Sequence, residues 1–456
     1  MEPSRIARWT LIASILGSAM AFIDGSVVNV ALPSIQADLG GGLATQQWVV
    51  DAYLLTLGSL ILVGGSLGDI FGESKIFAIG VVSFAGASLL CAIAPTATAL
   101  IVFRALQGMA GALLAPASLA MITATFAGAA RGNAIGQWTS WTGISFIVGP
   151  TLGGWLVDVS SWRLIFLINI PVAAATLLIL VRLGGIRQKR REDLRVDTWG
   201  AILCTAGLGL LVAGFIEQPQ RGWSDPLILG AFAGGLGLLA AFVFYELRTP
   251  LPMLPLRLFR LRNFSVANIE TLSVYGGLSG LTTFLTLFLI EFAGFSALRA
   301  GLSILPVTVV MFFVSPRTGR LSMQYGPRLF MALGPVIAGL GVLAFTRLPT
   351  NLSYVTDILP GLLVFAVGLS LTVAPLTTTV LADANPGDAG TASGVNNAVA
   401  RIAGLLAIAI LGITAASGGD HLTVHGFHIT MGVVSGLLIC GGLIGAIGLR
   451  NPRPAT

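Results

Sequence analysis

What most constrains this chain is a series of fourteen long apolar runs separated by short polar stretches. With soft edges they cover 10–32, 47–66, 76–94, 98–124, 134–156, 162–182, 198–217, 226–246, 264–291, 300–316, 328–347, 355–381, 390–417 and 428–449. A bilayer core about 30 Å thick is crossed by roughly 20 apolar residues in helical form. Inside it no water satisfies backbone N–H and C=O groups, so a helix, which pairs them internally, is the form such runs take. Only 10% of the 456 residues are charged, against about 25% in an ordinary soluble domain. The chain is therefore expected to be an all-α, multi-pass membrane protein of fourteen transmembrane helices, with the lipid bilayer as its first partner.

Orientation follows from the 25 Lys and Arg residues, because short cytoplasmic loops collect positive charge. With the N-terminus inside, 19 fall on the cytoplasmic side, including Arg182, Arg187, Lys189, Arg190, Arg191 and Arg195 in one loop and Arg248, Arg257, Arg260 and Arg262 in another. Only Arg163, Arg221, Arg299 and Arg347 fall outside, while Arg104 and Arg401 lie within apolar runs. Both termini are expected in the cytoplasm and the chain in the cell inner membrane. The net charge of +6 is thereby accounted for by topology and calls for no nucleic acid. Met1 to Ala21 has the look of a secretory signal, with Arg5 and Arg8 ahead of an apolar run, but the run continues to Leu32 and is read as the first span.

An internal repeat is legible. Gly65-Ser-Leu67-Gly-Asp69-Ile-Phe71-Gly72, after span 2, aligns with Gly319-Arg-Leu321-Ser-Met323-Gln-Tyr325-Gly326, after span 10. Ala115-Pro116 in span 4 matches Ala374-Pro375 in span 12, and Gly132 and Gly136 match Gly390 and Gly394. Two six-helix bundles are expected, at 1–182 and 263–456, joined through 183–262 by basic linkers and two additional helices. Many of the 58 glycines stand in small-xxx-small pairs that let helices approach closely in lipid. Pro116, Pro150, Pro306 and Pro375 permit kinks.

An ionisable residue inside the membrane costs at least about 2.5–3.5 kcal/mol and marks a functional hypothesis. Asp24 in span 1, Asp51 near the outer start of span 2, Arg104 in span 4 and Glu270 in span 9 are such residues. From the rise of roughly 1.5 Å per residue, the first three share the outer leaflet of the first bundle. Arg104 keeps its proton, so a proton taken up there sits on Asp24 or Asp51. A carboxylate that is either protonated or engaged by a cation is what a proton-driven exchanger needs; the alternative is a static ion pair locking spans 1, 2 and 4. Glu270 could face a cavity, and Arg401 has the reach to pair with it. Asn29, Gln107, Gln137, Asn396 and Asn397 add amides, and Trp138, Trp141 and Tyr275 aromatic surface, for a substrate cavity or for helix packing.

Cys91, Cys204 and Cys440 lie within spans and suggest neither a disulfide nor a metal. His421, His425 and His428 share the last outer loop with Asp420 as the nearest carboxylate, a poor metal set. No metal or cofactor is expected, only the proton as coupling ion. A membrane enzyme needs a nucleophile and base at one depth, and no such set is evident.

Against these residues the chain resembles the major facilitator superfamily and, within it, the fourteen-span drug:proton antiporters. Ile23-Asp24-Gly-Ser26-Val-Val-Asn29-Val-Ala31-Leu32-Pro33 is similar to the family's span 1 motif, with Ser26 where Thr is commoner. Trp48-Val-Val-Asp51-Ala-Tyr53 resembles the start of span 2, and Arg104-Ala-Leu-Gln107-Gly108-Met-Ala-Gly111 the span 4 motif whose Arg is implicated in proton coupling. Ser145-Phe-Ile-Val-Gly149-Pro150-Thr-Leu-Gly153-Gly154 is similar to the span 5 antiporter motif. The loop motif with Gly65, Asp69 and Gly72 has Ile70 and Glu73 where family members carry basic residues, leaving Lys75. Span 13 has Asn396, Asn397 and Arg401 in place of the acids of some members. The resemblance implies a monomeric, proton-coupled antiporter that exports small amphipathic or apolar molecules by alternating access; a lipid, polar metabolite or sugar is the alternative cargo of the same fold.

Overall fold

A computed structural model describes residues 3–183, 196–250, 252–382, 389–416 and 419–451. Among them there is no strand. The helices are α1 Pro3–Leu39, α2 Leu43–Phe71, α3 Glu73–Ala92, α4 Ala97–Thr125, α5 Gly128–Val159, α6 Leu164–Arg182, α7 Thr198–Arg221 and α8 Pro226–Glu246. There follow α9 Arg262–Glu291, α10 Ala297–Tyr325, α11 Pro327–Leu343, α12 Leu359–Ala382, α13 Ala389–Ala416 and α14 Val424–Gly448. Thirteen of the described segments are long and apolar enough to cross a membrane. The fifth expected span coincides with the 32-residue α5. The basic loop from Arg187 to Arg195 lies outside the described residues.

The helices outrun the apolar runs that announce them. Span 1, expected at 10–32, is a helix of 37 residues, because its polar ends keep the helical pairing where water is available. Proline acts at the expected places: Pro116, Pro150 and Pro375 lie inside α4, α5 and α12. Pro306 follows a break in α10 at Ile304, where its missing N–H costs least.

The repeat reappears as a packing scheme in which each helix of the first bundle has its counterpart eight helices later. In the first, α4 packs on α2 and α3, α1 on α5 and α6, and α3 on α6; in the second, α12 packs on α10 and α11, α9 on α13 and α14, and α11 on α14. Corresponding glycines hold corresponding places. Gly72, between α2 and α3, has φ +94°, and Gly326, between α10 and α11, has φ +84°. Both are in the left-handed region that an L side chain resists. A Cβ on Gly65 would lie 3.7 Å from Pro116, and one on Gly319 3.5 Å from Ala374.

By contacts the chain falls into two units. One comprises Met1–Leu211, Phe232–Leu254 and Ser296–Leu298; the other comprises Val212–Ala231, Pro255–Phe295 and Arg299–Thr456. In the first, Met20, Tyr53, Phe77, Phe84, Leu114 and Met121 form part of a buried apolar cluster. Thr205 on α7 donates its hydroxyl to Ser59 Oγ on α2 at 2.9 Å.

Candidate functional site

α1, α3, α4 and α6 bring five polar side chains to one fully buried point. Asp24 and Arg104 form an ion pair, and both are shielded from solvent. The guanidinium has two further acceptors: Nε donates to the Val49 carbonyl at 3.0 Å, and Nη1, which also meets Asp24, donates to Gln107 Oε1 at 2.7 Å. Its Cζ stands 4.2 Å from the centre of the Tyr53 ring, a cation–π contact. Tyr53 is itself fixed by donating to the Ala21 carbonyl at 3.0 Å.

The carboxylate is equally satisfied. Besides Arg104, Asp24 accepts from Gln107 Nε2 at 2.7 Å and Asn169 Nδ2 at 3.2 Å. Both amides also donate to Ser88 Oγ, at 2.9 and 3.1 Å. Cys91 Sγ closes the far side, 3.6 Å from Gln107 Oε1. A buried charge pair survives only when hydrogen bonds complete it, and here the spacing of Arg104 and Gln107, three residues apart on α4, puts both on one face toward α1.

The α5 glycine motif is the seat on which this part of α1 rests. A Cβ on Gly149 would meet Ser26 and, at 3.1 Å, the Ile23 carbonyl, and one on Gly153 would meet Val27. A Cβ on Gly154 would come within 2.5 Å of the Ala297 carbonyl. One turn on, the two carboxylate oxygens of Asp158 accept the N–H groups of Ala297 and Leu298, each at 3.0 Å. Pro150 lies within the same helix. Asp69 is exposed at the end of α2.

The other two acids pair with no cation among the described residues. Asp51 is fully buried on α2, and neither of its carboxyl oxygens has a hydrogen-bond partner among the described residues. Glu270 on α9 is likewise buried and unbonded. It lies against α14, where a Cβ on Gly445 would come 2.7 Å from its Oε2. The suggested pairing of Glu270 with Arg401 is thus not formed, because α9 turns the acid toward the small face of α14 while Arg401, on α13, lies near Tyr275.

The remaining residues divide. Asn396 joins α13 to α9, donating to Thr271 Oγ1 at 2.8 Å and Asn268 Oδ1 at 3.2 Å. Trp138 donates to Ser18 Oγ at 3.0 Å, and Ser18 to Ser118 at 2.7 Å, linking α5, α1 and α4. Asn397 is exposed and bonds within its own helix, Trp141 is 54% exposed, and Asn29 keeps a buried carbonyl oxygen without a partner among the described residues. Gln107 belongs to the Asp24 cluster.

Asn169 and Ser88 escaped the sequence reading. The amide of Ile168-Asn169-Ile170, alone in an apolar run, was the available signal for the first; a serine in a span gives none. Asp197 and Glu246 also escaped it. They are buried at adjoining ends of α7 and α8, both against Gly200, with Asp197 accepting from Gly200 N at 2.8 Å and Glu246 from Leu254 N at 3.0 Å.

Comparison with known proteins gives a consistent answer. Residues 14–408 match the Major Facilitator Superfamily. The chain is 34% identical over 451 residues to the puromycin resistance protein pur8 of Streptomyces alboniger, covering 94% of this chain and 89% of that one. It is 35% identical to the cephamycin export protein CmcT of Amycolatopsis lactamdurans, covering 90% and 86%. It is also 35% identical to the multidrug resistance protein Stp of Mycobacterium tuberculosis, covering 88% and 75%. Among solved structures, the peptide transporter POT in complex with sulfate superposes with a TM-score of 0.71 at 15% identity, covering 98% of this chain and 97% of that one. A bacterial homolog of the human lysosomal transporter Spinster superposes at 0.68 and 17%, covering 99% of both.

Proposed function

The chain belongs to the Major Facilitator Superfamily, and on that premise we propose that it is a proton-coupled antiporter exporting small amphipathic or apolar compounds, antibiotics among them, by alternating access. It is a multi-pass membrane protein that transports small molecules. The resistance and export roles named for its relatives support the cargo class. The observation that carries proton coupling is the buried Asp24–Arg104 pair with its amide collar.

A proton arriving at Asp24 competes with three donors, so protonation there releases Arg104, Gln107 and Asn169 together and loosens α1 from α4 and α6. That couples a proton to helix movement. Asp51 and Glu270 accept nothing from the described residues, so a proton at either breaks no bond and serves as a store or relay. Cargo with a cationic centre would compete with the proton for a buried carboxylate, and this competition is the exchange. We place the chain in the cell inner membrane as a monomer with both termini cytoplasmic. Single cysteines at positions 260 and 421, in a background lacking the native three, should then label from inside and outside respectively.

The test of coupling is transport of puromycin or ethidium in proteoliposomes with and without an imposed proton gradient. Wild type should move the probe only with the gradient, and Asp24→Asn should insert normally but fail to respond to it. Gradient-driven transport of wild-type rate in Asp24→Asn would remove that residue from the mechanism.

A further inference from the structure

At the end of the first unit that carries the amino terminus, a cavity of about 220 Å³ opens between α1 and α6, lined by Arg5, Trp9, Ile179, Arg182 and Leu183. Its volume lies below the roughly 300–1,000 Å³ of pockets that hold drug-sized ligands, so it is not a second cargo site. Its chemistry is two-sided. Arg5 and Arg182 are exposed and make no ion pair or hydrogen bond with another described residue, so two positive charges converge on one space with no paired counter-charge among the described residues. Trp9, 37% exposed, supplies an indole of the kind that settles at the headgroup level. Ile179 and Leu183 give the cavity apolar lining, and the same helix leaves Leu178 and Val181 at 60% and 78% exposure.

We propose that this cavity seats the phosphate of an anionic phospholipid headgroup, with the acyl chains running along Leu178 and Val181. Guanidinium groups recognise phosphate oxygens in a planar, two-pronged way, and basic pockets between helix ends at the membrane surface are suited to anionic headgroups. A free anion would use the arginines and leave the apolar lining and the exposed α6 residues without a role. A lipid uses all of them. Seated there, it bridges the ends of α1 and α6, the helices that carry Asp24 and Asn169, and steadies the approach on which their hydrogen bond depends.

The test uses the full chain purified from mixed vesicles of phosphatidylcholine and phosphatidylglycerol, with the lipid retained per chain measured by native mass spectrometry. Wild type should retain phosphatidylglycerol in preference to phosphatidylcholine. Arg5→Gln/Arg182→Gln should lose that preference by roughly thirtyfold, since each juxtamembrane basic residue contributes about 1 kcal/mol and about 1.4 kcal/mol is a factor of ten. Arg5→Lys/Arg182→Lys should keep part of it, and Arg8→Gln, on the same helix but outside the cavity, should keep all of it. If the double glutamine variant does not purify, each single variant is read in the same way, with a loss of about fivefold. Undiminished retention in the glutamine variants overturns the proposal. So does an equal loss in Arg8→Gln, which would mean diffuse surface charge, and so does displacement of the lipid by millimolar inorganic phosphate, which would mean a site for a soluble anion.

Discussion

In the first bundle α1 lies on α5 and α6 and holds an acid that accepts three side-chain donors; in the second, α9 lies on α13 and α14 in the same arrangement and holds an acid that accepts none from the described residues. The cation is where they diverge. Counting back twelve residues from Pro116 and from Pro375, Arg104 stands opposite Leu363, and nine residues back Gln107 stands opposite Ala366. No residue of α12 is charged. Duplication has kept the glycines and prolines, which decide how helices meet, and has let the polar equipment differ. Packing in lipid depends on close approach and tolerates little change, whereas a buried charge is tolerated only with its full set of partners and so is kept or lost as a group.

The largest effect should come from making the first bundle resemble the second. Arg104→Leu leaves Asp24 buried without its cation and should destabilise the protein by about 3–5 kcal/mol, read as a fall in thermal unfolding temperature in detergent. Adding Asp24→Asn should recover much of that stability while transport stays lost. A double variant no more stable than the single would show that the pair is not an energetic unit. In the second bundle the strongest expected change is Gly445→Ala, whose new methyl would press on Glu270 Oε2 and on the Met331 carbonyl at 2.9 Å. Overpacking of this kind costs about 1–3 kcal/mol, and unchanged stability would mean that α9 and α14 separate easily at this point.

Asn169→Ala removes one of the donors to Asp24 and should cost about 1 kcal/mol, with transport reduced rather than abolished. Transport equal to wild type would confine the coupling group to Asp24, Arg104 and Gln107. The smallest stability change is expected for Glu270→Gln, within about 1 kcal/mol of wild type, because its oxygens accept nothing from the described residues. Its effect should appear instead as a shifted pH dependence of transport, and as a non-additive loss when combined with Asp24→Asn. Unaltered transport at every pH together with a clear loss of stability would make Glu270 a packing residue.

The helices and the repeat were legible because the bilayer admits few forms of backbone and because glycine and proline mark helix contacts in the sequence itself. The Asp24–Arg104 pair was legible by depth: both fell in one leaflet of one bundle. Depth does not give rotation about the helix axis. The reach of Arg401 suggested Glu270, but the packing of α9 on α14 turned the acid elsewhere. Asp51 shared a depth with Asp24 without joining its cluster, for the same reason. Asn169 and Ser88 belong to the site only through the crossing of α3 and α6 beside α1, and no local pattern announces a crossing.

The sulfur at the edge of the Asp24 cluster gives the chain a gauge of its own. Cys91 is wholly enclosed against Gln107, Cys204 is enclosed elsewhere, and Cys440 is exposed. A small maleimide reaches the first thiol only while the polar cluster is parted, so the speed of Cys91 alkylation counts the openings, with Cys204 marking what a sealed thiol does and the denatured chain what an unprotected one does. No introduced cysteine is needed, and the clock runs in the protein as the cell makes it.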